Sequence, residues 1–291
     1  MRGTRAAGDS GAGTKGDGSL SPNEFKYIAD LVRSEIAVEL IGKEYLVESR
    51  LAPVARAFNL KGLSDIVTAL KRGTDRQLKA DVVEAMTTNE TSFFRDKHPF
   101  ETLEKHIIPE VTKRSPMGGL TVWNAASSSG QEPLSLAILI KERFPDLTRP
   151  GRTKILATDV SPAMVQRTKE GSYSRFEVNR GLNAQQAIEH FQQQGRHWVA
   201  TPELRSMIEA KTLNLIERWP PMPKCDVVMV RNVLIYFSAE VKRDILQRVR
   251  RDVLKPDGYL LLGASESTLG IDDGYTPKQL GPTTVFVPKG R

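Results

Sequence analysis

VWNAASSSGQEP, residues 122–133, is the stretch that decides the fold of this chain. It begins as a short apolar strand, passes through small residues and enters segment 134–140, whose alanine and leucine spacing suits a buried helix. A strand, a turn of small residues and a helix form the nucleotide-cradling corner of doubly wound α/β folds. Because Gly130 is the only glycine in the turn, the stretch argues against a pyrophosphate site and leaves room for a ligand without phosphates. A tight turn without any ligand is the open alternative.

Composition places the chain among ordinary soluble globular proteins. Its 291 residues are enough for two modest domains or one large one. Hydrophobic residues make up 39% of the chain and charged residues 26%, which is ordinary for a globular protein. No apolar run reaches the roughly 18 residues that span a bilayer, and the first residues lack the apolar core of a signal peptide. The single cysteine, Cys225, excludes an internal disulfide and a cysteine-rich metal site. We therefore expect a cytoplasmic protein.

The net charge of +7, with a pI near 9.4, is concentrated in one segment. Residues 41–80 carry eight Lys or Arg against four acids, which is +4 of the total. The chain lacks an arginine-rich arm and any alternation of aromatic and basic residues that would stack bases. This basic segment either meets an acidic protein or is a solvated helix face.

The first third of the chain predicts three regions. Residues 1–20 have no apolar period and predict a disordered tail, and residues 21–86 predict a small N-terminal all-α domain. A polar linker, residues 87–96, follows. The four helices of the domain are expected to start near Ser21-Pro22, Val47, Leu63 and Asp75.

Residues 97–291 predict an α/β domain with a mostly parallel sheet and an antiparallel end. The strand after the central turn ends in Asp159, where a carboxylate can accept hydrogen bonds from ribose hydroxyls. Asp159 as a simple cap of the helix that starts near Ser161 is the alternative. Short extended pieces at about residues 188–213 predict a small antiparallel β insertion.

Five motifs, in order, resemble those of the CheR chemotaxis-receptor methyltransferases. They are NETSFFRD at 89–96, AASSSGQEP at 125–133, ATD at 157–159, Asn214-Leu215, and RNVLIYF at 231–237. The resemblance spans about residues 20–290. Leu134 departs from it, standing where an aromatic residue is common, and Asn124 and Ser127 vary the turn.

The resemblance implies a Rossmann-like class I methyltransferase domain and a protein-glutamate O-methyltransferase of EC class 2.1.1. S-adenosylmethionine would be the methyl donor, S-adenosylhomocysteine the product, and no metal is implied. The acceptors would be glutamate side chains in the cytoplasmic methylation helices of membrane chemoreceptors, for sensory adaptation in chemotaxis. The cofactor-binding residues it implies are Asn89, Thr91, Arg95, Ala125, Glu132, Asp159, Met164, Asn214, Leu215, Arg231 and Asn232.

The implied chemistry needs no general base, since a glutamate with a pKa near 4.3 is already ionised at neutral pH. That agrees with a chain without a His-Asp or Cys-His constellation. Arg95 and Tyr236 are the candidate catalytic residues, steering the acceptor carboxylate or the carboxylate of the donor. The alternatives are a domain-linking ion pair for Arg95 and core packing for Tyr236 and Phe237.

For partners, the family likeness would dock the helix that carries Arg50 and Arg56 against acidic receptor helices. The short loop between Gln192 and His197 resembles relatives that do not grip a receptor's C-terminal pentapeptide. We expect a monomer that binds neither nucleic acid nor the membrane interior. Two other functions stay open: a module that binds S-adenosylmethionine without turnover, and a nucleic-acid methyltransferase.

Overall fold

The computed structural model describes residues 19–114 and 118–290, which divide into two units. The first unit holds the described residues up to Glu35 together with Glu39–Met86, and the second holds Ile36–Val38 and the residues from Thr87 onward. The predicted disordered tail lies, up to residue 18, outside the described residues. Leu20, which we predicted to be in that tail, is buried, and its N–H donates to Glu48 Oε1 at 2.9 Å.

The first unit is built from helices with recognisable ends. Ser21 and Glu24 form a reciprocal cap at the first helix, where Ser21 N–H donates to Glu24 Oε2 at 2.8 Å. Gly73 ends the third helix in a left-handed conformation, and Asp75 caps the fourth by accepting from Leu78 N–H at 2.9 Å. The helices are α1 (Pro22–Ile36), α2 (Glu44–Ala57), α3 (Leu63–Arg72) and α4 (Arg76–Ala85).

The second unit alternates strands and helices. Its strands are β1 (Leu120–Ala125), β2 (Thr153–Asp159), β3 (Ser172–Ser174), β4 (Phe191–Gln194), β5 (His197–Ala200), β6 (Ile208–Thr212), β7 (Cys225–Val230), β8 (Leu254–Leu262), β9 (Tyr275–Leu280) and β10 (Thr283–Pro288). Its helices are α5 (His98–Thr102), α6 (Ile108–Arg114), α7 (Gln131–Arg143), α8 (Pro162–Glu170), α9 (Arg175–Asn179), α10 (Ala184–His190), α11 (Pro202–Ser206) and α12 (Ala239–Arg248). One π-helical turn joins α5 to α6 and another joins α12 to β8.

A seven-stranded sheet organises this unit, in the order β6-β2-β1-β7-β8-β10-β9. β1 pairs in parallel with β2 on one side and β7 on the other, and β10 runs antiparallel to both β8 and β9. The predicted α/β class, with a mostly parallel sheet and an antiparallel end, is confirmed. None of the described helices combines the length and apolarity that a membrane span requires.

Both faces of the sheet are buried, as its sequence pattern requires. Along β1, Leu120 and Val122 belong to one apolar cluster, while Trp123 and Ala125 belong to the cluster on the opposite face. Side chains alternate between faces along a strand, so apolar residues at successive positions mean helices on both sides. Helices cover the faces, so a ligand can approach this sheet only at the ends of its strands.

The antiparallel insertion is present, but its predicted strands were partly wrong. The three-stranded sheet has the order β3-β5-β4 and includes Ser172–Ser174, which lies before the predicted range 188–213. Ile208–Thr212, which we predicted to lie in the insertion, is the parallel partner of β2 in the main sheet. Residues 255–258, whose sequence Lys-Pro-Asp-Gly is typical of a turn, lie within β8, where the pairing with β7 is irregular.

Candidate functional site

The carboxyl ends of β1 and β7 mark the place where a ligand is expected. From β1 the chain moves outward to β2 and β6, then crosses to β7 on the other side of β1. Adjacent strands whose connections run to opposite sides leave a crevice outside their carboxyl ends, and ligands bind there in open α/β sheets. Ala125 and Val230 are register partners at this edge, so the segments that follow them flank the crevice.

The turn after β1 is held by backbone and side-chain contacts. Ala126 and Ser128 have positive φ values of 52° and 50°, and Gly130 has a φ of 92°. Ser127 N–H donates to Thr158 O and Ser128 N–H donates to Asp159 Oδ2, both at 2.8 Å. A side chain at Gly130 would meet Thr168, whose nearest atoms lie 2.8–3.0 Å from an added Cβ. Both the conformation and the space therefore require glycine.

Gly130→Ala is expected to destabilise the protein by about 2–5 kcal/mol, the sum of left-handed backbone strain and overpacking against Thr168. Gly195→Ala is the matched control, because Gly195 has a φ of +61° and open space around its Cα. That control should lose only about 1–2 kcal/mol, the cost of the backbone conformation alone. Chemical denaturation of both variants measures the difference, and equal losses would show that the Thr168 contact is unimportant.

Asp159 anchors the turn from the neighbouring strand and is buried. Its Oδ2 accepts from Ser128 N–H, and its Oδ1 accepts from Ser161 N–H at 3.0 Å. The cap of α8 is Ser161, whose Oγ accepts from Met164 N–H, so the view of Asp159 as that helix's simple cap is wrong.

Arg231, the residue that follows β7, is the buried centre of a charge network. Its side chain is 1% exposed, and its Nη1 pairs with Glu132 Oε2. Its Nη2 pairs with Asp96 Oδ2 at 2.7 Å and donates to the carbonyl of Arg95 at 3.2 Å. Asn124 Nδ2 donates to Glu132 Oε1 at 2.6 Å. Two carboxylates around one guanidinium leave the network with a formal net charge of −1.

Three buried polar atoms beside this network have no partner among the described residues. They are Asn124 Oδ1, Ser127 Oγ and Arg231 Nε. Buried polar groups are nearly always hydrogen-bonded, so unpaired ones on the segments that flank the crevice are candidate contacts for a polar ligand. His190 Nδ1, Thr201 Oγ1 and Arg248 Nε are unpaired as well, and they lie on other elements. Asn124 and Ser127 are therefore candidate site residues, although the motifs present them only as variations of the turn.

The segment that precedes α5 is strained around Arg95. Phe94, Asp96 and Lys97 all have positive φ, at 48°, 66° and 53°. Such conformations cost of order 1–3 kcal/mol each and persist where the surroundings enforce them. Here Phe94 N–H donates to Ser135 Oγ at 2.9 Å, and the buried Phe93 ring packs edge-on against Tyr173 at 5.1 Å.

Arg95 itself is half-buried and lines an open groove of about 350 Å³. Its Nη1 donates to the carbonyl of Glu90 at 2.8 Å, so the partner found for it is a backbone oxygen of its own segment. The groove is lined by Ser92, Phe93, Phe94, Arg95, Asp96, Lys97, Arg180 and Gly181.

Tyr236 lies on a single 3₁₀ turn, Leu234–Tyr236, that follows β7. Phe237 packs against the apolar cluster on that face of the sheet, as its packing alternative predicted, whereas Tyr236 is outside both main clusters. The same segment contains Asn232, whose φ of 59° is left-handed. The carboxylate of Glu266, a residue that the motifs did not reveal, accepts hydrogen bonds from the N–H groups of Asn232 and Ile235.

The structure brings several of the other predicted cofactor residues to the turn. The carbonyl of Asn89 accepts a hydrogen bond from Ser128 Oγ at 2.8 Å. Met164 Sδ lies 4.0 Å from Ser128 Oγ. Asn214 and Leu215 follow β6 just after Leu213, whose N–H donates to Asp159 O at 2.9 Å.

The remaining predicted residues lie in three different places. Thr91 is half-buried in the segment before Arg95. Arg50 and Arg56 both lie on α2 in the first unit. Ala125 is the last residue of β1 and is buried.

Comparison with known proteins agrees with this geometry. Residues 89–280 match the family described as "CheR methyltransferase, SAM binding domain". The chain belongs to the CheR methyltransferase family. It is 40% identical over 252 residues to "Chemotaxis protein methyltransferase Cher2" of Pseudomonas putida, covering 85% of this chain and 90% of the relative. It is 42% identical over 251 residues to "Chemotaxis protein methyltransferase 1" of Pseudomonas aeruginosa, covering 84% and 89%.

The CheR domain of this chain binds S-adenosylmethionine, and the residues present fit that molecule. S-adenosylmethionine carries a sulfonium and an ammonium cation with one carboxylate, so it is a net cation at neutral pH. Beside the crevice lie a charge network with a net negative formal charge, the carboxylate of Asp159 and unpaired polar atoms of both kinds. Acceptor atoms suit the ammonium and the ribose hydroxyls, and the Arg231 Nε donor suits the carboxylate.

Proposed function

We propose that this protein transfers the methyl group of S-adenosylmethionine to glutamate side chains in the cytoplasmic helices of chemoreceptors, forming glutamate methyl esters in chemotactic adaptation. The observation that carries the proposal is the Glu132–Arg231–Asp96 network, which joins the first turn of α7 to the NETSFFRD segment and to the end of β7. It connects three of the five family motifs. The printed names of the relatives support the biological setting.

In the proposed reaction, the protein binds and aligns the reactants. Bound S-adenosylmethionine supplies an activated methyl group on a positively charged sulfur. Glu132 and Asn124 would hold its ammonium, and Asp159 its ribose. The acceptor carboxylate is ionised without a base, and alignment to about 3–3.5 Å supplies much of the rate enhancement. Arg95 would orient the acceptor carboxylate from the groove wall, and Tyr236 would line the path of approach.

The test is incubation of the purified protein with donor labelled in the methyl group and cytoplasmic fragments of chemoreceptors. Labelled receptor that releases methanol after base treatment supports the proposal, because carboxyl esters are base-labile. Label that resists base, or label that enters nucleic acid instead, would contradict it. Binding of the donor without any turnover on any fragment would indicate a sensor of S-adenosylmethionine.

We also propose that α2 docks the acidic receptor helices through Arg50 and Arg56. Arg56 is exposed, while Arg50 Nη1 lies 3.4 Å from the carbonyl of Ala85. Arg56→Glu is expected to raise the KM for a receptor fragment roughly three- to tenfold at low salt, since surface charges act mainly on encounter. The difference should shrink at high salt, because the screening length falls from about 10 Å at 0.1 M to about 3 Å at 1 M.

Arg56→Lys is the control for this docking prediction, because it keeps the charge at the same position. It should retain a KM close to that of the unmodified protein in steady-state assays. An unchanged KM for Arg56→Glu at low salt would remove α2 from the docking surface.

We propose that the antiparallel insertion does not bind the C-terminal pentapeptide of a receptor, so the enzyme acts independently of that peptide. The support is the connection between β4 and β5, which consists of Gly195 and Arg196 alone. Measurable binding of such a peptide to the protein would contradict this.

We further propose that the protein acts as a cytoplasmic monomer. Light scattering of the purified protein measures its oligomeric state.

A further inference from the structure

Glu266 lies in the segment between β8 and β9, and its carboxylate collects three backbone N–H groups. Oε2 accepts from Asn232 N–H and from Gly263 N–H, each at 2.7 Å, and Oε1 accepts from Ile235 N–H at 3.2 Å. The N–H of Glu266 returns to Gly263 O at 2.9 Å and closes a tight turn. One side chain thus ties together the segments that leave the carboxyl ends of β7 and β8.

The segments that follow β7 and β8 approach each other so closely at Gly263 that no side chain fits there. An added Cβ at Gly263 would lie 2.6 Å from Glu266 Oε2, 2.7 Å from Asn232 Nδ2 and 2.9 Å from Asn232 N. Asn232 also holds a left-handed φ of 59°, which a non-glycine residue keeps only when its surroundings enforce it. The hydrogen bond from Asn232 N–H to Glu266 is one contact that holds this conformation.

The position of these bonds relates them to the site. Asn232 stands two residues beyond Val230, the register partner of Ala125 at the crevice. Ile235 is the middle residue of the 3₁₀ turn that carries Tyr236, and Tyr236 N–H itself donates to Val233 O at 3.2 Å. Fixing the N–H groups of Asn232 and Ile235 therefore fixes both ends of the short segment that presents the Asn232 and Tyr236 side chains.

We propose that Glu266 is a positioning residue that sets Asn232 for the methyl donor and Tyr236 for the acceptor. The inference rests on the proposed function for the roles of those two side chains. Glu266 acts through the backbone of residues 232–235 and contacts neither reactant.

A carboxylate suits this task better than any neutral side chain of the same shape. Glutamine has one acceptor oxygen and a donor NH₂ group, whereas the three N–H groups here approach both oxygens. In Glu266→Gln, at least one of the three N–H groups faces the donor NH₂ group, so the segment 232–235 loses part of its restraint. Aspartate keeps the charge but is one methylene shorter, so it cannot reach both segments at once.

The experiment compares Glu266→Gln with Ser267→Ala. Ser267 Oγ accepts from Leu269 N–H at 3.1 Å in the same segment, so its variant removes one acceptor without touching Asn232 or Ile235. For Glu266→Gln, the Kd for S-adenosylhomocysteine by calorimetry and the KM for the donor should rise about tenfold, and kcat should fall, with the protein still folded. Ser267→Ala should match the unmodified protein in all three.

Each outcome decides the matter. Unchanged Kd, KM and kcat in Glu266→Gln would overturn the inference, as would an activity loss explained entirely by a lost folded fraction with normal Kd. If Glu266→Gln does not fold, Glu266→Asp is measured in the same way, and failure of both to fold would make the role structural and refute positioning. The Kd comparison uses no receptor, so it judges Glu266 even if receptor methylation is not observed.

Discussion

Replacing Arg231 with alanine is expected to abolish donor binding and to lower the free energy of unfolding by about 3–5 kcal/mol. The Arg231 side chain is 1% exposed and Glu132 only 11%, so the substitution leaves a carboxylate buried without its counter-ion. Asp96 is 33% exposed and can be solvated, so most of the cost falls on Glu132. Denaturant unfolding and calorimetry with S-adenosylhomocysteine measure the two effects.

Arg149→Ala is the control for the loss of an arginine ion pair. Arg149 pairs with Asp146 at 2.8 Å, but the two side chains are 74% and 80% exposed, so the loss in the free energy of unfolding should be about 0–1 kcal/mol.

A second comparison separates the effect on stability from the effect on donor binding. Arg231→Met combined with Glu132→Gln removes both buried charges and should recover much of the stability but not the affinity for S-adenosylhomocysteine. Full affinity in Arg231→Ala would contradict the role of the network.

Arg95→Ala is expected to lower kcat/KM for receptor methylation by about a hundredfold or more, the loss that follows removal of one well-placed charged donor from an active site. The fold should be unaffected, because Arg95 is half-buried and its hydrogen bond goes to a carbonyl of its own segment. Steady-state kinetics with a receptor fragment, together with thermal unfolding, measure this.

Arg180→Ala is the matched control for Arg95, since it removes another cation from the wall of the same groove. Arg180 is engaged at 2.8 Å with the exposed carboxylate of Glu90, and we expect its loss to change kcat/KM only a few-fold. A fall in kcat with an unchanged KM for Arg95→Ala would place its contribution in the transition state. Full activity of Arg95→Ala would exclude it from the site.

The parts of the site that could be predicted are those encoded locally. A strand, a run of small residues and a helix are contiguous in residues 122–140, and Asp159 ends the next strand, so parallel pairing brings them to one edge. The helix that carries Arg50 and Arg56, α2, was likewise visible from its own residues. For such features, the spacing along the chain determines which side chains share a surface.

The parts that could not be predicted depend on residues far apart in the chain. Arg231 meets Glu132 and Asp96 across 99 and 135 positions, and no local pattern announces that pairing. Ile208–Thr212 is a five-residue strand, too short for its alternation to show whether it pairs within the insertion or beside β2. Glu266 accepts hydrogen bonds from backbone N–H groups, which every residue except proline has. The types of the residues that it contacts therefore give no sign of its role in the sequence.

The most direct test of the account is a calorimetric titration of the purified protein with S-adenosylhomocysteine. Because the crevice lies between the ends of β1 and β7, we expect saturable binding of S-adenosylhomocysteine at one site per chain. The heat of binding should be abolished in Arg231→Ala and retained in Arg149→Ala. Absence of binding to the unmodified, folded protein would contradict the central claim that this crevice holds the methyl donor.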